Sequence, residues 1–242
     1  MISDWRIEQM DALEFLRSLP DASVDALVTD PPYCSGSVAE SARAGAVKQG
    51  VRDASRFGGW FVGDNMGTAG LVWLLRSVAF EACRFLKPSG SAVVFCDWRQ
   101  VPNLAPAIES SGLRYQNMVV WDKGAMGLGV GFRAQHEIAL HFTNGAPAYH
   151  SRSESNVIRC KRVSATEREH QTQKPVELME RIVRVVSPHG GLVVDPFAGA
   201  GTTGVAAVLS GRRFAGSERD ARHVSTSMAR LATAGATTIA AE

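Results

Sequence analysis

The sequence predicts an α/β fold, a mostly parallel sheet with helices on both faces, and three observations carry the prediction. Short apolar runs alternate with segments of helical periodicity along most of the 242 residues, the pattern of a sheet covered on both sides. Two of those runs end in ligand-type corners: Val24-Asp25-Ala26-Leu27-Val28-Thr29 runs into Asp30-Pro31-Pro32-Tyr33, and Leu192-Val193-Val194 runs into Asp195-Pro196-Phe197-Ala198-Gly199-Ala200-Gly201-Thr202-Thr203. Nothing in the composition opposes a globular core, with 45% hydrophobic and 21% charged residues.

The elements follow in order. Trp5 to Glu8 reads as a strand, and Asp11 caps a helix through Leu13, Leu16 and Leu19. Pro20-Asp21 turns the chain into the strand that delivers Asp30. Cys34 to Met66 is rich in Gly, Ser, Ala and Arg with little periodicity; a loop this long in a compact domain is functional or disordered. Trp60 and Phe61 within it are candidate anchors. Leu71 to Leu86 has helical spacing and is stopped by Lys87-Pro88-Ser89-Gly90. Ser91 to Cys96 is a central strand, Val101 to Ser110 a helix, and Gln116 to Trp121 and Glu137 to Phe142 are strands around a glycine-rich connection, Gly124 to Arg133. Thr143 to Gln173 is polar and basic and predicts no core element. Pro175 is placed at the first turn of a helix that carries Leu178, Ile182, Val185 and Val186. After Thr203 come a helix through Val208, a strand near Phe214 to Ser217, Glu218, and a last helix to about Leu231. Residues 232–242 are expected to fray. The whole is expected to be one domain, with 34–66 and 143–173 as flexible segments that contact nucleic acid.

Charge and cysteine usage narrow the function classes. Twenty-six basic and 24 acidic residues leave a net charge of +2, so nucleic-acid contact must come from local patches. Arg43 to Arg56 (Arg52 and Arg56 included) and His150 to Lys174 (Arg159, Lys161 and Arg162 included) are the candidates. Cys34, Cys83, Cys96 and Cys160 form no Cys-x-x-Cys pair, which argues against a zinc site or a disulfide framework and for a reducing compartment. No metal is expected. No run approaches the ~20 apolar residues of a membrane helix, and the first residues lack a signal peptide's apolar core. A cytoplasmic protein is the expectation.

Asp30-Pro31-Pro32-Tyr33 is the corner that suggests chemistry. Two prolines cannot extend a strand, because each fixes φ and lacks an N–H. A carboxylate, two unladdered carbonyls and an aromatic ring are thereby held in a stiff exit loop. Such a corner can accept both hydrogens of a planar amino group and stack on the heterocycle that bears it, as in a nucleobase. Two out-of-plane acceptors favour a tetrahedral nitrogen and stabilise positive charge developing there. The plain alternative is a proline-rich turn with a capping aspartate. The later motif adds a strand, Gly199-x-Gly201 and a helix, which let a ligand approach the backbone at a helix N-terminus. Glu218 stands about 20 residues on, where an acidic side chain holds ribose hydroxyls. With no Walker lysine, a nucleoside ligand without phosphates is implied.

With both motifs in hand, the chain resembles the amino-methylating DNA methyltransferases of the β arrangement, in which the catalytic tetrapeptide precedes the cofactor motif. Ser23-Val24-Asp25 through Tyr33 is similar to the catalytic block, and Gln173-Lys174-Pro175 through Thr203 to the cofactor block. Arg84 to Gly90, Trp121-Asp122-Lys123 and Arg133 to Glu137 are similar to the motifs between. The resemblance implies a seven-stranded Rossmann-like methyltransferase sheet, S-adenosylmethionine as cofactor and a base flipped out of double-stranded DNA. It implies Asp30, Pro31, Pro32 and Tyr33 as the base pocket. Phe197 would lie against the cofactor adenine, Gly199 and Gly201 under its methionine part, Glu218 on the ribose, and Lys174 with Thr172 on the carboxylate. Asp11, Asp30, Asp195 and Thr202 complete the cofactor set; Asp11 and Thr172 read equally as helix caps. Arg52, Arg56, Arg133, Arg159, Lys161 and Arg162 are the DNA candidates. A homodimer and a cognate restriction endonuclease are the further partners that the resemblance raises. Asp at the first tetrapeptide position points to adenine N6. The rivals are cytosine N4, a protein glutamine (for which the resemblance implies Asn in place of Asp30), and a non-catalytic binding module.

Overall fold

A computed structural model describes residues 5–33, 67–127, 130–162 and 174–241. Its elements run β1 (Trp5–Gln9), α1 (Ala12–Ser18), β2 (Val24–Thr29), α2 (Thr68–Phe85), β3 (Leu86–Cys96), a 3-10 turn (Trp98–Gln100), α3 (Val101–Glu109), β4 (Arg114–Asp122) and β5 (His136–Thr143). They continue with β6 (Val157–Arg159), α4 (Val176–Val186), β7 (Leu192–Asp195), α5 (Thr202–Leu209), β8 (Arg213–Glu218) and α6 (Ala221–Ala241). One sheet holds them in the order β1-β8-β7-β2-β3-β5-β4-β6. Only β5 runs against its neighbours, β3 and β4; every other pairing is parallel.

Side chains alternate across the pleat, and this divides the core in two. Leu27, Ala92 and Val94 point to the face covered by α1, α2 and α3, where Phe15, Leu75 and Leu104 meet them. Ala26, Val28, Val93 and Phe95 point the other way, onto Leu178 and Ile182 of α4, Ala206 of α5 and Leu231 of α6. The strands β2, β3 and β7 are therefore buried on both sides, which is why they read as unbroken apolar runs.

Four expectations need correction. The sheet has eight strands rather than seven, because β6 lies inside 143–173, where no core element was expected. It is only three residues long, and just one of them, Ile158, is buried; Trp121 Nε1 fastens its end by donating to the Cys160 carbonyl at 2.7 Å. Lys87-Pro88-Ser89-Gly90 does not merely stop α2 but already belongs to β3. Lys87 reaches both oxygens of Asp25 at 2.8 and 2.9 Å, and Asn144 and Gly90 pair through their backbones. Pro175 is the N-cap of α4 rather than its first helical residue. Finally, α6 runs to Ala241 rather than ending near Leu231, and Ala234 is buried. No helix among the described residues is long and apolar enough to cross a membrane.

Candidate active site

Adjacent parallel strands β2 and β7 both end in Asp-Pro at the same edge of the sheet, and the candidate site is built around these two ends. The β2 ladder stops at Thr29, leaving Asp30 and Pro31 beyond it. Opposite, β5 begins at the same edge because it is antiparallel: Ile138 is level with Cys96 of β3, and Glu137 with Trp121 of β4.

Asp30, Tyr33 and Glu137, each half-buried, close around the buried Lys174. Lys174 Nζ lies 2.5 Å from Asp30 Oδ2, 3.0 Å from the Tyr33 hydroxyl and 3.1 Å from Glu137 Oε2. Tyr33 donates to Glu137 Oε2 at 3.1 Å, and Lys123 Nζ stands 2.6 Å from Glu137 Oε1. The Lys174 ammonium also sits 5.0 Å from the centre of the Phe95 ring and 5.1 Å from that of Tyr33. Asp30 Oδ1, by contrast, is buried and has no hydrogen-bond partner among the described residues. An unsatisfied buried carboxylate oxygen is costly and rare, and is a feature of sites that await a ligand. Burial pushes the Asp30 carboxyl above its usual value, with the Lys174 charge opposing and Glu137 reinforcing. Glu137 goes the other way. Burial would raise it, yet Lys174 and Lys123 together hold it at about 2.

Asp195 has a different environment. Thr29 donates to its Oδ1 at 2.6 Å and the Phe197 N–H to the same atom at 3.0 Å, while Thr203 donates to Oδ2 at 2.7 Å. Its carboxylate is thus engaged within the protein, and it shapes the loop from inside. Gly199 and Gly201 both adopt left-handed backbone, at φ 52° and 76°. A side chain at Gly199 would meet none of the described residues within 4 Å, whereas one at Gly201 would strike Ser227 Oγ at 2.9 Å. Open space therefore lies over Gly199 at the start of α5, as a ligand cradle requires. Glu218 ends β8 beside it, with Oε2 accepting from the Gly199 N–H at 3.0 Å and Oε1 from the Asp220 N–H at 2.9 Å. Each oxygen retains a lone pair for a hydroxyl donor. Met10 N donates to the Glu218 carbonyl at 3.2 Å, which places Asp11 alongside; Asp11 itself caps α1 through the Leu13 N–H at 3.0 Å.

The expected site residues thus fall into groups. Asp30, Pro31, Pro32, Tyr33 and Lys174 form one corner, and Asp195, Phe197, Gly199, Gly201, Thr202 and Glu218 form the neighbouring one. Lys174, expected at a cofactor carboxylate, lies against Asp30, the Tyr33 hydroxyl and Glu137. Thr202 is buried, 3.2 Å from a guanidinium nitrogen of Arg230. Arg159, Lys161 and Arg162 are exposed where β6 ends, with Arg159 3.9 Å from Asp122 at the end of β4; Arg133 is exposed on the β4–β5 connection, donating to the Gly127 carbonyl at 2.7 Å. These cations border the same sheet edge. Thr172, Arg52, Arg56, Cys34, Trp60 and Phe61 lie outside the described residues. Sequence reasoning missed Glu137 and Lys123, although both lie in stretches similar to family motifs; no local pattern shows that they meet Lys174. It also missed Ser227, which donates to the Gly199 carbonyl at 2.7 Å from α6.

The family model described as a DNA methylase, for N6 and N4 amino-methyltransferases, matches residues 24–229. The chain belongs to this family. The YubD protein of Escherichia coli (strain K12) is 31% identical over 215 residues, covering 88% of this chain and 84% of that one. The type II methyltransferase M2.DpnII of Streptococcus pneumoniae is 27% identical over 248 residues, covering 91% and 87%. Among solved structures, the cytosine-N4-specific PvuII DNA methyltransferase superposes with a TM-score of 0.73 at 18% identity over 94% of this chain and 86% of that one. The M1.HpyAVI–SAM complex gives 0.66 at 23% over 94% and 100%. The fold is that of the S-adenosylmethionine-dependent DNA methyltransferases, and the protein is an N6/N4 DNA methyltransferase of that family.

Proposed function

We propose that the protein transfers a methyl group to the N6 amine of an adenine flipped out of duplex DNA. The observation that carries the reading is the Asp30 carboxylate, half tied to Lys174 and half unpartnered, beside the Tyr33 ring and next to the glycine cradle of the adjoining strand. Bound S-adenosylmethionine supplies an electrophilic methyl on a sulfonium. This chain's residues do the rest. Gly199 leaves room for the cofactor's amino-acid part, Glu218 accepts from its ribose hydroxyls, and Phe197 lies beside its adenine. Asp11 borders that ribose site, Thr172 is assigned to the methionine carboxylate, Thr202 completes the cofactor set at the start of α5, and Asp195 keeps the loop in shape. Asp30 and the carbonyls that follow it accept from the target amine while Tyr33 stacks on the base, so attack is promoted by alignment and by charge placed where the nitrogen becomes positive. The preference for adenine rests on the resemblance that links Asp at this position with N6.

Arg159, Lys161, Arg162 and Arg133 are proposed to carry phosphate contacts, since they border the edge from which the base must enter; Arg52 and Arg56 join them on the strength of their basic sequence stretch alone. Neutralising Arg159, Lys161 and Arg162 together is expected to flatten the slope of log affinity against log salt by roughly 2–3, as three phosphate contacts require. An unchanged slope removes these residues from the interface. The function itself is tested by incubating the protein with mixed-sequence duplex DNA and S-adenosylmethionine and analysing the nucleosides by mass spectrometry. N6-methyladenine that disappears in Asp30→Ala is the expected result. N4-methylcytosine would overturn the choice of base and leave the mechanism standing.

A further inference from the structure

Lys174 lies where four chain segments converge, and its charge is shared rather than paired. Its ammonium donates to Asp30 Oδ2 and to the Tyr33 hydroxyl and forms an ion pair with Glu137 Oε2 at 3.1 Å. Glu137 is itself bound by Lys123. A row of alternating charge results, Lys123, Glu137, Lys174, Asp30, neutral as a whole and therefore tolerable when buried. Asp30 is its last member, with one oxygen tied and the other unpartnered. Glu137 also accepts from the Tyr33 hydroxyl, so the same row sets the plane of the stacking ring.

We propose that Lys174 and Glu137 are positioning residues acting through Asp30: Lys174 holds the buried carboxylate ionised with Oδ1 facing the target amine, and Glu137, by sharing Lys174, leaves Asp30 basic enough to take a proton. The proposal rests on the methyltransferase reading. In the step it serves, the N–CH3 bond forms as the S–CH3 bond breaks, and the sulfonium leaves as a neutral thioether. The nitrogen becomes cationic, one N–H proton passes to Asp30 Oδ1, the bonding pair stays on nitrogen, and Asp30 returns the proton to water on product release. A carboxylate bound to Lys174 alone would be a poorer base, and one with no cation would be protonated before the amine arrived.

The other titratable groups around Asp30 do not replace this pair. Cys96 and Asp97 lie at the end of β3, the former a thiol pushed up to about 12 by burial and the latter bound to Arg99. Asp195 on β7 is held by Thr29 and Thr203, and Tyr33 on the same loop as Asp30 is pushed well above its ordinary value by burial. Among the described residues, Lys174 is the cation in contact with Asp30.

Two substitutions separate the proposal from a merely structural role, because they act in opposite directions. Lys174→Met removes the cation and should move the Asp30 midpoint up by about one pH unit or more; Glu137→Gln removes the competing anion and should move it down by a similar amount. The midpoint is read in two ways: from the acid limb of kcat against pH, and from a 13C titration of labelled aspartate in the ligand-free protein, assigned with Asp30→Asn. Opposite shifts support the proposal. No shift, or shifts of one sign, overturn it. Should Lys174→Met fail to fold, Glu137→Gln decides alone, a downward shift supporting and anything else overturning. The carbon titration needs no turnover, so a protein that methylates no DNA would refute the functional reading while the relation of Lys174 and Glu137 to Asp30 was still measured.

Discussion

Asp30 and Asp195 make an informative pair. Both leave neighbouring parallel strands at the same edge, both precede proline, and Thr29, the residue before Asp30, donates to Asp195 Oδ1 at 2.6 Å. Their surroundings nevertheless give them opposite tasks. Asp195 receives two hydroxyls and a backbone N–H and touches no cation among the described residues, so its carboxylate serves the fold. Asp30 receives one ammonium on one oxygen and nothing from the described residues on the other. A carboxylate satisfied by the fold supports the loop; one left half-satisfied is available for chemistry. The difference lies in the partners and not in the local sequence.

Two substitutions break the comparison. Asp30→Asn should lower kcat by about 100-fold or more, the scale of losing a preorganised electrostatic contact, and should lose less stability than Asp195→Ala, because the amide keeps the side chain's volume and Glu137 still stands beside Lys174. Asp195→Ala should strand the Thr29 and Thr203 hydroxyls in the core and remove about 3 kcal/mol of stability. Urea unfolding and kinetics of the two variants side by side would check this. Equal losses of stability would make Asp30 a second structural aspartate.

Titration sharpens the same contrast. Burial pushes the Asp195 carboxyl from an ordinary 3.8 to about 6, with Thr29, Thr203 and the Phe197 N–H opposing. The folded value lies above the unfolded one, so this group's contribution is fully present below about pH 4 and is lost as pH rises through 6, a swing of about 3 kcal/mol. Asp195→Asn does not titrate and can keep the Phe197 N–H on its carbonyl oxygen while Thr203 turns to accept. The stability gap between variant and wild type should therefore move in favour of the variant from pH 4 to 6. A constant gap would place the titration elsewhere.

Much of this was legible in the chain and some was not, for physical reasons. Order and type of the larger elements followed from periodicity, because strands buried on both faces and amphipathic helices impose their pattern on many consecutive residues. The two Asp-Pro corners were legible because proline and glycine constrain the backbone locally. Glu137 and Lys174 were not joined, since they stand on different elements and only the sheet order β2-β3-β5 brings them together. The strand β6 escaped because three residues with one buried side chain carry no period. The contact of Lys174 with Asp30 was hidden for a related reason: its neighbourhood in sequence is the cofactor block, while its side chain reaches the tetrapeptide.

The smallest effects come from the two glycines, and they test whether the cradle is empty for the fold or for a ligand. Both have left-handed φ, so alanine at either carries about 1–2 kcal/mol of backbone strain. Gly201→Ala adds a steric clash, because its Cβ would lie 2.9 Å from Ser227 Oγ and 3.0 Å from Ser227 Cβ on α6. It should lose more stability than Gly199→Ala, whose Cβ has no neighbour within 4 Å among the described residues. The order should reverse for affinity: the methyl at Gly199 occupies space that only a ligand needs, and cofactor Kd measured by calorimetry should rise about tenfold or more, beyond what its modest strain accounts for. A Gly199→Ala protein that binds as wild type would move the cofactor off this backbone, and with it the reason why Asp195, unlike Asp30, is closed to solvent chemistry.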